Sequence, residues 1–193
     1  MPERKLSRTL FFKAENITDD SRRVTLSFSS EEPYKRYWGN EILSHAPGAC
    51  DLQRLSEIGV VLFNHERDEV IGKITNCRIE NNRGVAEIEF DDDDMSEMIF
   101  KKVKSGTLKG VSVGYIVDVW EEVAAGSYSA DGRFAGPCSV AKRWTPFEVS
   151  IVSVPADPTV GVGRSDDDIT TGLKLAERQL KINRSYVTTK TGG

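Results

Sequence analysis

Apolar and polar residues alternate over short stretches through most of the chain between Leu10 and Val154. Val24-Thr25-Leu26-Ser27-Phe28 has an apolar residue at every second position, the period of a strand with one buried face. Phe11-Phe12 precedes it across the polar turn Thr18-Asp19-Asp20-Ser21 and predicts a partner strand. Ala86, Ile88 and Phe90 alternate with Val85, Glu87 and Glu89, and Asn81-Asn82-Arg83-Gly84 turns the chain into that strand from residues 70–80. Ile58-Gly59-Val60-Val61-Leu62-Phe63 is an unbroken apolar run and reads as a buried strand. Further strands are predicted over residues 111–120, 140–144 and 147–154, the last ended by Pro155-Ala156-Asp157-Pro158.

The pattern changes to helical spacing once in the middle of the chain. Met95, Met98, Ile99 and Val103 share a face, Asp94 with Glu97 forms a capping-box-like start, and Gly106 suits the left-handed stop. Residues 31–53 show no clean period and contain Pro33, Gly39, Pro47 and Gly48, which predicts a long ordered loop. Residues 121–137, rich in Gly, Ala and Ser, predict a flexible loop or hairpin tip. After Gly163 the chain is polar, with one weak helical candidate over 169–182. With no repeat and no βαβ series, the expected class is mainly β: an antiparallel barrel with a few flanking helices. The expected organisation is a tail over 1–9, a domain over 10–163 and a polar tail or docking helix over 164–193.

Composition narrows the function classes. The 193 residues, 38% hydrophobic and 29% charged, suit one soluble domain with tails. A net charge of -4 argues against a nucleic-acid partner. No apolar run approaches the ~20 residues of a membrane span, and the N-terminus has no secretory apolar segment. Cys50, Cys77 and Cys138 are odd in number and unpaired in spacing, implying a reducing compartment. Cys77 lies in an alternating run and reads as a half-buried strand residue. With two histidines and no clustered cysteines, neither a metal nor a cofactor is expected.

Two positions combine chemistry with suitable context. His65 follows the run ending at Phe63, in Asn64-His65-Glu66, and Ser112 lies between glycines in Gly110-Val111-Ser112-Val113-Gly114. A histidine and a serine where strands meet loops are the minimum parts of a nucleophile and its general base. On local features alone His65 is either a surface residue or a base, while His45, in Ser44-His45-Ala46-Pro47-Gly48, has no apolar support and reads as non-catalytic. The Gly-x-Ser-x-Gly order matches the α/β-hydrolase elbow, but that elbow needs a strand before and a helix after, and here the order is reversed. Glu148 enters an apolar strand and is either a solvated edge residue or the group that orients the imidazole; Asp118, Glu66 and Asp157 are weaker substitutes. The run Asp91 to Asp94 lacks calcium-loop spacing and reads as a solvated helix start.

Four segments in order resemble the tailed-phage prohead (head maturation) proteases. They are Leu62-Phe63-Asn64-His65-Glu66, Ile71-Gly72-Lys73, Val103 to Tyr115 with its Gly-x-Ser-x-Gly core, and Glu148-Val149-Ser150-Ile151-Val152-Ser153-Val154-Pro155-Ala156. Pro47-Gly48-Ala49-Cys50 also resembles that family's Pro-Gly-Ala-Phe, with Cys50 as a departure. The likeness runs from about Leu10 to Gly163. It implies a serine protease related in fold to the herpesvirus maturation proteases, with His65 as base, Ser112 as nucleophile and Glu148 as the third member. It also implies action in the host cytoplasm inside the assembling prohead, on the scaffold segment of the major capsid protein and on itself, as a homo-oligomer. The alternatives are a non-enzymatic capsid-assembly or scaffold-docking module on the same barrel, a carboxylate-based hydrolase using Glu66 and Glu148, and a nucleic-acid-binding barrel, which the acidic balance disfavours.

Overall fold

Strand alternation produces a mainly β, mostly antiparallel sheet that curls into a half-barrel, as the sequence predicts. A computed structural model describes residues 6–11, 15–18 and 22–154. Among these, the strands are β1 (Leu6–Phe11), β2 (Glu15–Thr18), β3 (Arg23–Ser30), β4 (Tyr34–Arg36), β5 (Gly39–Leu43), β6 (Val60–Phe63), β7 (Glu66–Glu80), β8 (Arg83–Phe90), β9 (Gly110–Val123) and β10 (Cys138–Val152); the helices are α1 (Gln53–Ile58) and α2 (Asp94–Lys104). Hydrogen-bonded neighbours run β1-β9-β10-β6-β7-β8-β3-β2, and β5 joins β10 on one side and β4 on the other. Two pairings are parallel, β10 with β5 and β10 with β6.

The core collects the apolar faces of β3, β8, β9 and β10. Val24, Leu26 and Phe28 of β3, Ile88 and Phe90 of β8, Val111, Val113 and Tyr115 of β9, and Val149 and Ile151 of β10 are all buried. Helix α2 adds Ile99, Phe100 and Val103. Its cap is Asp93, one residue before the expected Asp94, and accepts from the amides of Met95 (3.0 Å) and Ser96 (3.1 Å). Glu97 does not close a capping box; it pairs with Arg22 and with Lys101. Met98 points to solvent, and Phe100 takes the buried place.

Several expectations need correction. Residues 6–9, assigned to the tail, belong to β1, where Arg8 is fully buried. Residues 31–53 are no loop: they hold β4, β5 and the start of α1. The strand pattern there is disguised because Glu41 occupies a fully buried position, satisfied by the Tyr115 hydroxyl, which donates to it, and by Arg36 at 3.2 Å. Residues 56–58 extend α1, so the strand begins only at Val60. The two strands expected over 140–154 are one, β10, interrupted by register shifts against β9 between Ala141 and Arg143, Arg143 and Trp144, and Pro146 and Glu148. Cys77 is partly buried in β7, as read. The helical candidate over 169–182 and the rest of 155–193 lie outside the described residues.

Candidate active site

Val60 to Phe63 pairs with β7 through a two-residue turn whose central residues are Asn64 (φ +52°) and His65 (φ +67°). Two successive positive φ angles give the primed hairpin turn that matches strand twist. Asparagine tolerates this region, whereas histidine does so at some cost. Asn64 fixes the turn to the end of β10: its amide donates to the Ile151 carbonyl (2.9 Å), and its Oδ1 accepts from the Ser153 amide (2.9 Å) and hydroxyl (3.2 Å). His65 is thereby held over β10 in a strained conformation of the kind that clusters at functional sites.

The parallel pairing of β6 with β10 puts Glu148 and Ser150 beneath the imidazole. His65 Nδ1 lies 2.5 Å from Glu148 Oε1 and 3.4 Å from Ser150 Oγ. The side chains of His65 and Glu148 are 34% and 13% exposed, so the pair is shielded but open on one side. With Nδ1 committed to the carboxylate, Nε2 is the atom left to exchange a proton with a hydroxyl.

Ser112 is on the same face of the sheet, one strand further on. Antiparallel pairing sets it opposite Ser150, and sets Gly114 opposite Glu148. The flanking glycines are explained by this crowding: a Cβ on Gly114 would lie 2.6 Å from Glu148 Cγ and 2.8 Å from the Phe147 ring. The Gly-x-Ser-x-Gly motif is therefore a strand that makes room for the side chains of β10, and not a nucleophile elbow. Ser112 is fully buried, and its hydroxyl donates to the Arg8 carbonyl of β1 at 3.1 Å. His65 and Glu148 are thus in contact, while Ser112 shares their face and is hydrogen-bonded elsewhere.

Of the substitutes for Glu148, Asp118 is exposed and lies 3.8 Å from Arg143, Glu66 is exposed, and Asp157 lies outside the described residues. Ser150 was missed, although the two-residue period of Glu148-Val149-Ser150 places both side chains on one face. A groove of about 460 Å³, lined by Val60, Leu62, Arg67, Ile116 and Phe147, opens beside Glu148.

The second histidine is not the unsupported loop residue expected. His45 is buried, packs edge-on against Trp144 with ring centroids 5.5 Å apart, and has Nε2 2.7 Å from Ser29 Oγ. Burial pulls its pKa down from 6.5 to about 4, and its Nδ1 has no hydrogen-bond partner among the described residues, Glu31 Oε1 standing 4.0 Å away.

The chain is similar in sequence and in fold to known proteins. Residues 28–174 match the caudovirus prohead serine protease family. A protein named major capsid protein from Halomonas phage phiHAP-1 is 32% identical over 168 residues, 85% of this chain; the match takes in 27% of that protein, so the chain spans about a quarter of its length. The solved structure of the bacteriophage T4 capsid assembly protease, gp21, superposes with a TM-score of 0.55 at 11% identity, covering 80% of this chain and all of that one, which is a likeness of fold.

Proposed function

The chain belongs to the caudovirus prohead serine protease family, and from that premise we propose that it is a serine endopeptidase of head maturation in which Ser112 is the nucleophile, His65 the general base and Glu148 the orienting carboxylate. The observation that carries the assignment is the His65 Nδ1–Glu148 Oε1 contact of 2.5 Å, on the sheet face that Ser112 shares. Ser112 Oγ attacks the scissile carbonyl carbon as His65 Nε2 takes its proton. Glu148 accepts from Nδ1–H, fixes the tautomer and stabilises the imidazolium. His65 then gives the proton to the leaving amine, and water repeats the cycle on the acyl-serine. The groove beside Glu148 offers apolar surface for a substrate side chain.

The substrates are the scaffold segment of the major capsid protein and the protease itself. Support comes from the family and from the stretch similar to this chain that occurs within a protein named major capsid protein. The enzyme acts as a homo-oligomer inside the assembling prohead in the host cytoplasm. Co-expression with capsid protein tests the reading. The unsubstituted chain removes the scaffold segment and Ser112→Ala does not; processing at the normal rate by Ser112→Ala contradicts it.

A further inference from the structure

Ser112 lies between two different neighbours. On one flank is β10, whose Glu148 and Ser150 carry His65; on the other is β1, which pairs with β9 from Leu6 opposite Tyr115 to Phe11 opposite Gly110. Thr9 stands opposite Ser112, and the carbonyl that takes the Ser112 hydroxyl belongs to the Arg8–Thr9 peptide. An enzyme that cuts an extended chain needs this arrangement of substrate: a main-chain ladder along one strand, and a peptide carbonyl on the side of the nucleophile away from the base. The hydroxyl donates to the Arg8 oxygen instead of addressing the carbon, and Ser112 is fully buried while it does so. A substrate carbonyl cannot occupy that place while β1 does.

A second observation shows that β1 is held at a cost. Arg8 is 1% exposed; its Nη2 donates to the Glu32 carbonyl, but Nε and Nη1 are buried without a hydrogen-bond partner among the described residues. Tyr34 and Tyr115 and the Glu41 carboxylate surround it, with the Arg36 cation nearby. Buried donors left unsatisfied oppose docking, so an apolar residue of similar length at position 8 fits the site better than arginine does.

We infer that β1 is an intramolecular stand-in for substrate: it occupies the Gly110–Tyr115 edge of β9 in the resting protein, and an extended polypeptide segment displaces it to bring its own carbonyl to Ser112. The inference rests on the reading of Ser112 as nucleophile. It makes access to Ser112 depend on the docking equilibrium of a strand remote in sequence from the catalytic groups.

Diisopropyl fluorophosphate, a small neutral probe that a serine attacks with loss of fluoride, reads that access in the full chain without the capsid substrate. Thr9→Pro, which fixes φ and removes a main-chain donor in β1, is expected to raise the labelling rate of Ser112 by about tenfold or more. Arg8→Met is expected to lower it several-fold while raising the unfolding temperature. Labelling of Thr9→Pro no faster than the unsubstituted chain, with amide protection of β6 to β10 intact, overturns the inference. Where Thr9→Pro does not fold, Arg8→Met decides: labelling as fast as the unsubstituted chain overturns it. Label on Ser112 at a rate indifferent to β1 refutes the stand-in alone, whereas no label on Ser112 in any variant refutes the serine-protease reading and the stand-in with it.

Discussion

His65 and His45 each have a serine and a glutamate for neighbours, and the shorter serine–histidine contact belongs to the one argued not to catalyse. Ser29 Oγ sits 2.7 Å from His45 Nε2, whereas Ser150 Oγ is 3.4 Å from His65 Nδ1 and Ser112 makes its hydrogen bond to Arg8. The carboxylates differ more. Glu148 lies 2.5 Å from His65 Nδ1, whereas Glu31 is 4.0 Å from His45 Nδ1 and accepts instead from the His45 backbone amide and from Arg133. Solvent access differs as well: the His65 side chain is 34% exposed and that of His45 is 0%. Burial drives His45 to a pKa of about 4, so near neutral pH it is uncharged and a weak base. A serine–histidine contact therefore does not by itself make a base; a carboxylate on the far nitrogen and room to reach the near one do.

The largest effect that can break this contrast is chemical. Ser112→Ala is expected to lower scaffold cleavage by about 10⁴-fold or more, read from the initial rate of processing. Glu148→Gln keeps the shape but loses the carboxylate, and is expected to lower kcat by about 10³-fold with little change in KM. The next effect belongs to His45 and to stability. Its folded pKa lies below the ordinary value, so between pH 6.5 and 4 the unfolded chain binds more protons and stability rises with pH. The contribution is fully present above about 6.5 and is lost as pH falls toward 4. Urea unfolding is expected to show the unsubstituted chain losing about 3 kcal/mol over that interval beyond what His45→Gln loses. The smallest effect concerns the turn: His65→Gly, freed from the strain at φ +67°, is expected to raise stability by about 0.5–1 kcal/mol in thermal unfolding. One histidine then ties stability to pH, and the other holds a strained turn.

Much of this was legible in the sequence where one rule dominated. The alternation of Ala86, Ile88 and Phe90 predicted a strand buried on one face, and all three are buried. The Asn81-Asn82 turn adopts positive φ at both residues. The sequence marks Asn64-His65 as the end of a strand and Glu148 as a carboxylate entering another, and the fold brings His65 and Glu148 into contact. What escaped was whatever long-range contacts decide. Glu41 and Arg8 are charged residues in the interior, and each disguised a strand, because the tyrosines against them, Tyr115 for Glu41 and Tyr34 for Arg8, are distant in sequence. His45 looked unsupported because Trp144 and Ser29 reach it from other strands. The hydrogen bond of Ser112 to β1 spans 104 positions and leaves no local trace.

The most direct test sets the two histidines against each other in one assay. Cleavage of the capsid scaffold segment is followed with His65→Gln and His45→Gln enzymes, each shown by circular dichroism to be folded at neutral pH. His65→Gln is expected to lose cleavage while His45→Gln retains it near the unsubstituted rate. Retention of cleavage by His65→Gln, or its loss in folded His45→Gln alone, contradicts the assignment of His65 as the base.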